Sequence, residues 1–196
     1  MRQLGYHIGQ RIGEGSYSKV YYAEHNSQSE DSAKPFSKKP IACKIVDGRY
    51  TSIEFLEKFL PRELSIVTKI RHPHIVPVYS ILEVGPFVCC FMDFCPHGDL
   101  LERIQNVGAL PETKAQLYFS QICSAISYLH SLEISHRDIK CENILIKARN
   151  CVKLTDFGFS RKVMKLGKRI LCDTYCGSAA YASPEVLQVC RKVCGL

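Results

Sequence analysis

Residues 6–25 contain two alternating runs, "YHIGQRIGEG" and "SKVYYAEH", which predict two strands around a glycine-bearing turn. Residues 26–39 carry Phe36 as their one large apolar side chain and predict a surface loop. "PIACKIV" predicts a third strand, and segments at about 76–83 and 87–93 two more. The apolar stretch from Ile75 to Met92 has the length of a membrane span, but Gly85-Pro86 divides it into two strands and a turn. From Ser52 to Ile70 apolar residues recur at helical spacing, yet Pro61 lacks a backbone donor and clashes with the carbonyl of Glu57. A break or kink is expected there.

After "CPHGD" the pattern turns helical, with a short helix near 99–106 and a long one over about 111–132. Pro111 suits a first helical position, and Tyr118, Ile122, Ile126 and Leu129 form an apolar face that needs a partner. Two short strands follow, "ENILI" and "CVKLTDF", and then a basic run from Ser160 to Tyr175. There is no internal repeat.

Composition narrows the class. With 196 residues, 46% apolar and 23% charged, the chain can bury a core. Its 26 Lys and Arg against 19 Asp and Glu give +7, which suits an anionic ligand but equally a solvated basic surface. The first ten residues have no signal-peptide core, so the eleven cysteines are expected as free thiols in a reducing, cytoplasmic setting. Two C-x3-C pairs, Cys172/Cys176 and Cys190/Cys194, lack a His at zinc-ligand spacing.

Five short motifs carry chemistry. Gly13, Gly15 and Ser18 put small residues where a backbone can approach phosphate oxygens, though a hairpin turn explains them as well. A dinucleotide fold would need a helix straight after the turn, and "KVYYAE" alternates like a strand instead. Lys44 in "IACK" stands among apolar residues, either as an edge lysine or as a cation that needs an anion such as Glu63. "SHRDIKCEN" crowds Arg137, Asp138, Lys140 and Asn143 together, and "TDFG" puts Asp156 at a strand end, as a metal ligand or as a turn residue.

In that order the pieces match the template of glycine loop, strand Lys, helix Glu, H-R-D-x-x-x-x-N and D-F-G. The chain resembles the eukaryotic protein kinases from Tyr6 to about Leu187. "KFLPREL", "HGDL", "SYLHS", "DFGFSR" and "TYCGSAAYASPEVLQ" resemble the testis-specific serine/threonine kinases, near the calmodulin-dependent kinase group. The resemblance implies an α+β, two-lobed fold: an N-lobe antiparallel sheet plus one helix over 1–94, and a mainly helical C-lobe over 95–196, incomplete here.

It also implies site roles. Ile12, Gly13, Gly15, Ser18, Val20, Ala42 and Lys44 would enclose ATP, with Glu63 orienting Lys44. Met92 would back the adenine, Asp93 and Cys95 would bond the base through their backbone, and Asp99 would complete the nucleotide site. Asp138 would accept the acceptor hydroxyl's proton, Lys140 would steady the γ-phosphoryl group, and Asn143 with Asp156 would hold Mg2+. Thr174 matches the activation-loop site, with Arg137 placed to pair with its phosphate. Lys140 and Ser178 resemble the serine/threonine class.

The implied activity is ATP- and Mg2+-dependent phosphorylation of protein Ser and Thr; the alternative is a non-catalytic fragment that binds nucleotide or a partner. ATP and protein substrates are the expected partners, with room for a chaperone or scaffold, and neither nucleic acid nor membrane. Ser18 replaces the usual third glycine, and "SPE" at 183–185 replaces A-P-E. After "PEVLQ" the tail "VCRKVCGL" leaves the pattern, as an alternative transcript, a frameshift or an incomplete gene model would. The long helix is accordingly expected to lose cover at Tyr118, Ile122, Ile126 and Leu129, and the chain alone to be poorly stable.

Overall fold

The computed structural model describes residues 5–15, 18–28, 36–53, 56–57, 60–165, 168–169, 177–184 and 186–187. They belong to two compact units, one of residues 1–58 and 77–94, the other of 59–76 and 95–196.

The first unit is a five-stranded antiparallel sheet ordered β1-β2-β3-β5-β4. Its strands are β1 (Tyr6–Gly15), β2 (Ser18–Gln28), β3 (Phe36–Asp47), β4 (Val78–Val84) and β5 (Phe87–Asp93). β3 begins within the segment expected to be loop. Residues directly opposite in neighbouring strands share a face, so the register sorts side chains two by two. Tyr21, Cys43 and Phe91 align across β2, β3 and β5, and Ala23 aligns with Ile41. Ala23, Ile41, Cys43, Cys89 and Phe91 form the buried core of one face. Tyr6 closes it by stacking on Phe91 at 3.9 Å and by a 2.7 Å hydrogen bond with the Ser80 hydroxyl. The other face takes the alternate set: Val20 opposite Lys44, and Ala42 opposite Met92. At the β4–β5 turn Gly85 adopts φ +57°, which glycine enters without a side-chain clash.

The second unit holds the helices α1 (Leu60–Val67), α2 (Leu100–Val107) and α3 (Glu112–Ser131). Pro61 stands in the first turn of α1, where its missing N–H leaves no intrahelical bond unmade. α1 and the loop after it belong to this unit rather than to the sheet of the first, a difference from a division after Phe94. The reason is hydrogen bonding: Val76 N donates to Leu154 O and Leu154 N to His74 O, both at 2.9 Å, and Arg71 N donates to the Tyr128 hydroxyl. α2 starts at Asp99, whose Oδ1 accepts the Glu102 N–H, and ends at Gly108 with φ +84°. α3 starts one residue later than expected, with Pro111 as its N-cap.

The remaining strands are short hairpin pieces. β6 (Ile134–Ser135) pairs with β9 (Arg161–Lys162), β7 (Ile144–Ala148) with β8 (Cys151–Leu154), and β10 (Met164–Lys165) with β11 (Lys168–Arg169). The expected strand "ENILI" begins only at Ile144, because Cys141–Asn143 form a 3-10 turn. No helix among the described residues is long and apolar enough to cross a membrane.

The apolar face of α3 does not lose its cover. Tyr118, Ile122, Ala125 and Leu129 are buried, and Ile126 is half-buried. α3 packs on β8 and β6, so its partner comes from the hairpin that follows it in the chain. Polar contacts fix that seam: the Tyr118 hydroxyl donates to Arg149 O at 3.0 Å, and Gln121 Oε1 accepts Val152 N–H at 2.9 Å. Leu129, near the end of α3, is only 1% exposed. We expect Leu129→Ala to cost about 2–5 kcal/mol, measured as a drop in the denaturant midpoint with an unchanged slope. A shift within error would show that the α3 seam contributes little to stability.

Candidate active site

The site residues fall into a sheet set and a loop set. In the first unit, Gly13 and Gly15 lie at the end of β1, opposite Val20 and Ser18 on β2. Residues 16–17 at the tip lie outside the described residues. A Cβ on Gly15 would come within 3.2 Å of the Ser18 hydroxyl, so the strand ends approach closely there. Ile12 is exposed on β1, and Lys44 is half-buried on β3 between Val20 and Cys90. Val20, Ala42, Lys44 and Met92 thus share the face opposite the Cys43–Phe91 core. The Asp93 N–H is committed to Pro77 O at 3.1 Å, and its carboxylate accepts the Tyr79 hydroxyl at 3.2 Å. A hydrogen bond with Cys89 and, after it, burial push the Cys43 thiol up, so it stays protonated.

The second unit carries the loop set around Asp138, which is 5% exposed. Its Oδ2 accepts Asn143 Nδ2 at 2.9 Å and lies 3.1 Å from Lys140 Nζ. Its Oδ1 accepts both the N–H and the hydroxyl of Ser178 at 3.1 Å. Lys140 Nζ also donates to Ser178 Oγ at 2.8 Å, which closes a ring of cation, hydroxyl and carboxylate. Asn143 spends its amide nitrogen on the backbone and side chain of Asp138, so its amide oxygen is the end suited to a metal. The Thr155 N–H donates to Asn143 O at 2.9 Å and ties that loop to the residue before Asp156.

Asp156 has φ +59° and Arg137 φ +68°, left-handed positions that cost a non-glycine residue about 1–3 kcal/mol each. Both stand within the polar loops rather than in regular elements. A Cβ on Gly158 would lie 3.4 Å from Asp156 Oδ1 and 3.7 Å from Glu63 Oε2, so buried Glu63 comes up against the D-F-G turn. Lys44 belongs to the first unit and Glu63 to the second. Cys95 is buried at the start of the second unit, and Asp99 lends one carboxylate oxygen to the α2 cap. Among the described residues no three or more His, Cys, Asp and Glu side chains are placed to hold a metal by themselves. A metal at Asn143 and Asp156 would therefore draw further ligands from a phosphate-bearing substrate, as Mg2+ commonly does.

Two features of the site, His136 and Gly177, have no counterpart in the expected residues, and Arg137, expected as a phosphate partner, lies between them in its contacts. His136 lies buried between Thr155 and Asp138: Asp138 N donates to Nδ1 at 3.3 Å, so Nε2 carries the proton and donates to Thr155 O at 3.0 Å. Burial holds its pKa below the ordinary 6.5, as the neutral ring in that geometry requires. Arg137 donates through Nε to Phe159 O at 2.6 Å, while its buried Nη1 has no hydrogen-bond partner among the described residues. Gly177 has φ +92°, and a Cβ there would lie 2.6 Å from Arg137 O. Thr174 and the C-x3-C cysteines lie outside the described residues.

Residues 6–193 match the protein kinase domain, so the chain belongs to the protein kinase family. That match runs through most of the tail after Gln188. The chain is 44% identical to human testis-specific serine/threonine-protein kinase 3 over 188 residues, covering 94% of this chain and 65% of that protein. Mouse testis-specific serine/threonine-protein kinase 1 is 44% identical over 191 residues, covering 96% of this chain and 50% of its own length. Serine/threonine-protein kinase kin-29 of Caenorhabditis elegans is 38% identical over 182 residues, 93% of this chain and 21% of its own. The chain spans half to about two thirds of the length of the testis-specific relatives just named.

Two outcomes test the loop set. Gly177→Ala should push the 177–178 backbone away from Arg137, and the Ser178 amide, held by Asp138, should exchange with deuterium about tenfold faster or more. Unchanged exchange would mean that the loop absorbs the clash. For His136, the unfolded chain takes up a proton near pH 6.5 while the folded chain resists it, so stability is flat above that pH and falls below it. His72, whose pKa burial also lowers, acts in the same direction. His136→Gln should therefore flatten part of the acid-side fall of the melting midpoint, and an identical fall would assign it elsewhere.

Proposed function

We propose that this chain works as a protein serine/threonine kinase, transferring the γ-phosphoryl group of ATP to Ser and Thr hydroxyls of proteins. The observation that carries this reading is the Asp138 carboxylate ringed by Lys140, Asn143 and Ser178. In the reaction the acceptor oxygen forms a bond to the γ-phosphorus, the bond to the β-phosphate oxygen breaks, and ADP leaves. Asp138 takes the hydroxyl proton, and Lys140 beside it balances charge on the γ-phosphoryl group. Bound Mg2+ would neutralise phosphate charge, held by Asn143 and Asp156.

On the sheet side, Lys44 would pair with the α- and β-phosphates, oriented by Glu63. Gly13, Gly15 and Ser18 would cover the phosphates, and Ile12, Val20, Ala42 and Met92 the adenine. The shared face of Val20, Ala42, Lys44 and Met92 supports that assignment, since one ligand can meet all four. The Asp93 N–H is engaged with Pro77, so this residue would offer the base its carbonyl, with Cys95 adding its own backbone groups and Asp99 completing the rim.

Thr174 would be the regulatory phosphorylation site, and the buried Nη1 of Arg137 supports an anion arriving beside the loop. A cytoplasmic setting fits the seven described cysteines, all free thiols. Protein substrates and a scaffold or chaperone complete the set of partners.

Asp138→Asn should lower phosphate transfer to a Ser/Thr peptide by about 10²–10⁴-fold while leaving ATP binding intact. Lys44→Met should instead weaken ATP binding in a thermal-shift titration. Wild-type binding without transfer would favour a nucleotide-binding fragment without catalysis, and undiminished transfer by Asp138→Asn would remove Asp138 from the reaction.

A further inference from the structure

A concave site lies wholly within the second unit. It is a pocket of about 420 Å³ between α1 with the turn after it, the end of α3, and the β6–β9 pair. Its origin is local geometry. Arg62, Ile66, Lys69 and Ile70 follow one another at helical spacing, so they present one face. The Lys69 and Ile70 amides, both bonded to Ile66 O, carry that face past the last residue of α1. On the other side, Ile134 stands opposite Lys162, and Ser135 opposite Arg161.

The lining divides by chemistry. Ile66, Ile70, Leu132 and Ile134 supply an apolar floor, and Arg62, Lys69, Arg161 and Lys162 a basic rim. Among the described residues no Asp or Glu lines the pocket. Among the described residues none of the four cations forms an ion pair or a side-chain hydrogen bond, whereas Arg11 and Arg49 each meet a carboxylate. Four like charges around one opening repel each other, and Leu132, 39% exposed beside the buried Ile66, Ile70 and Ile134, gains from being covered.

We propose that this pocket is a docking site for an acidic segment of a partner protein, anchored by a bulky apolar side chain. The floor takes the anchor, which becomes desolvated at the centre of the contact, and the rim pairs with Asp and Glu around it. Inorganic phosphate or nucleic-acid backbone would satisfy the rim and leave the exposed Leu132 in water. A flat anionic membrane would leave the recess unfilled. The segment would touch both the helix that bears Glu63 and the strand that leaves the Asp156 turn, so it would hold those two elements together. The proposal does not depend on the phosphoryl-transfer reading, because no residue of the pocket is among those assigned to nucleotide or acceptor.

The test is fluorescence anisotropy with the 196-residue chain and a short labelled peptide of Glu and Asp around a central Phe-Leu pair. We expect saturable binding, weakened about tenfold or more by Lys69→Glu combined with Lys162→Glu, and retained by the double Lys→Arg variant. Both lysines are exposed, and far-UV circular dichroism checks that the variants keep the fold. Replacing Phe-Leu by Ala-Ala in the peptide should weaken binding as well. The proposal fails if the acidic peptide does not bind, if charge reversal leaves binding unchanged, or if the Ala-Ala peptide binds equally well. It also fails if phosphatidylserine vesicles bind through Lys69 and Lys162 while the peptide does not, which would make the face a lipid contact.

Discussion

Asp138 is a carboxylate almost wholly removed from water, and such a group needs donors to replace its hydration. Three side chains meet that need: Lys140 and Asn143 from the same loop, and Ser178 from forty positions further on. The last two bring other backbone with them. Asn143 fixes the 3-10 turn and, through its carbonyl, the approach to Asp156; Ser178 brings in Gly177, packed close to the Arg137 carbonyl. His136 underpins the loop from below by bridging Thr155 and the Asp138 amide. Removing one donor would leave negative charge buried without full compensation, so the loop set stands or falls as a group.

The sheet side depends on a different constraint, strand alternation. Cys43 and Lys44 are neighbours in sequence with opposite surroundings, a thiol in the core and an ammonium on the other face. The same alternation in β2 and β5 assembles the rest of each face without any further instruction.

Much of this was legible in the sequence because it is local. Alternating runs marked β1 and β2, "PIACKIV" marked β3, an apolar stretch cut by Gly85-Pro86 marked β4, β5 and their turn, and the H-R-D-x-x-x-x-N stretch put Asp138, Lys140 and Asn143 within six residues. What could not be read depends on distant partners. The cover of α3 comes from a hairpin whose pairing is set elsewhere, so an apolar stripe expected to lie bare is buried. The need for glycine at 177 arises from a carbonyl forty positions earlier, that of Arg137. The extended start of β3 follows from hairpin pairing with the end of β2 across a polar stretch, and the grouping of residues 59–76 with the second unit from long-range hydrogen bonds. His136 was half within reach: the Asp138 amide it accepts from is two residues away, but its other partner, Thr155 O, lies nineteen positions on.

The register of β3 also acts as an inspection step. A strand paired one residue out of place would carry the Lys44 ammonium into the space of Cys43 and expel a core thiol, an error far more costly than a missing contact. A chain that has buried its sheet core has therefore already delivered its lysine to the correct side. Misregistered copies are culled by their own instability, before any ligand has had the chance to discriminate.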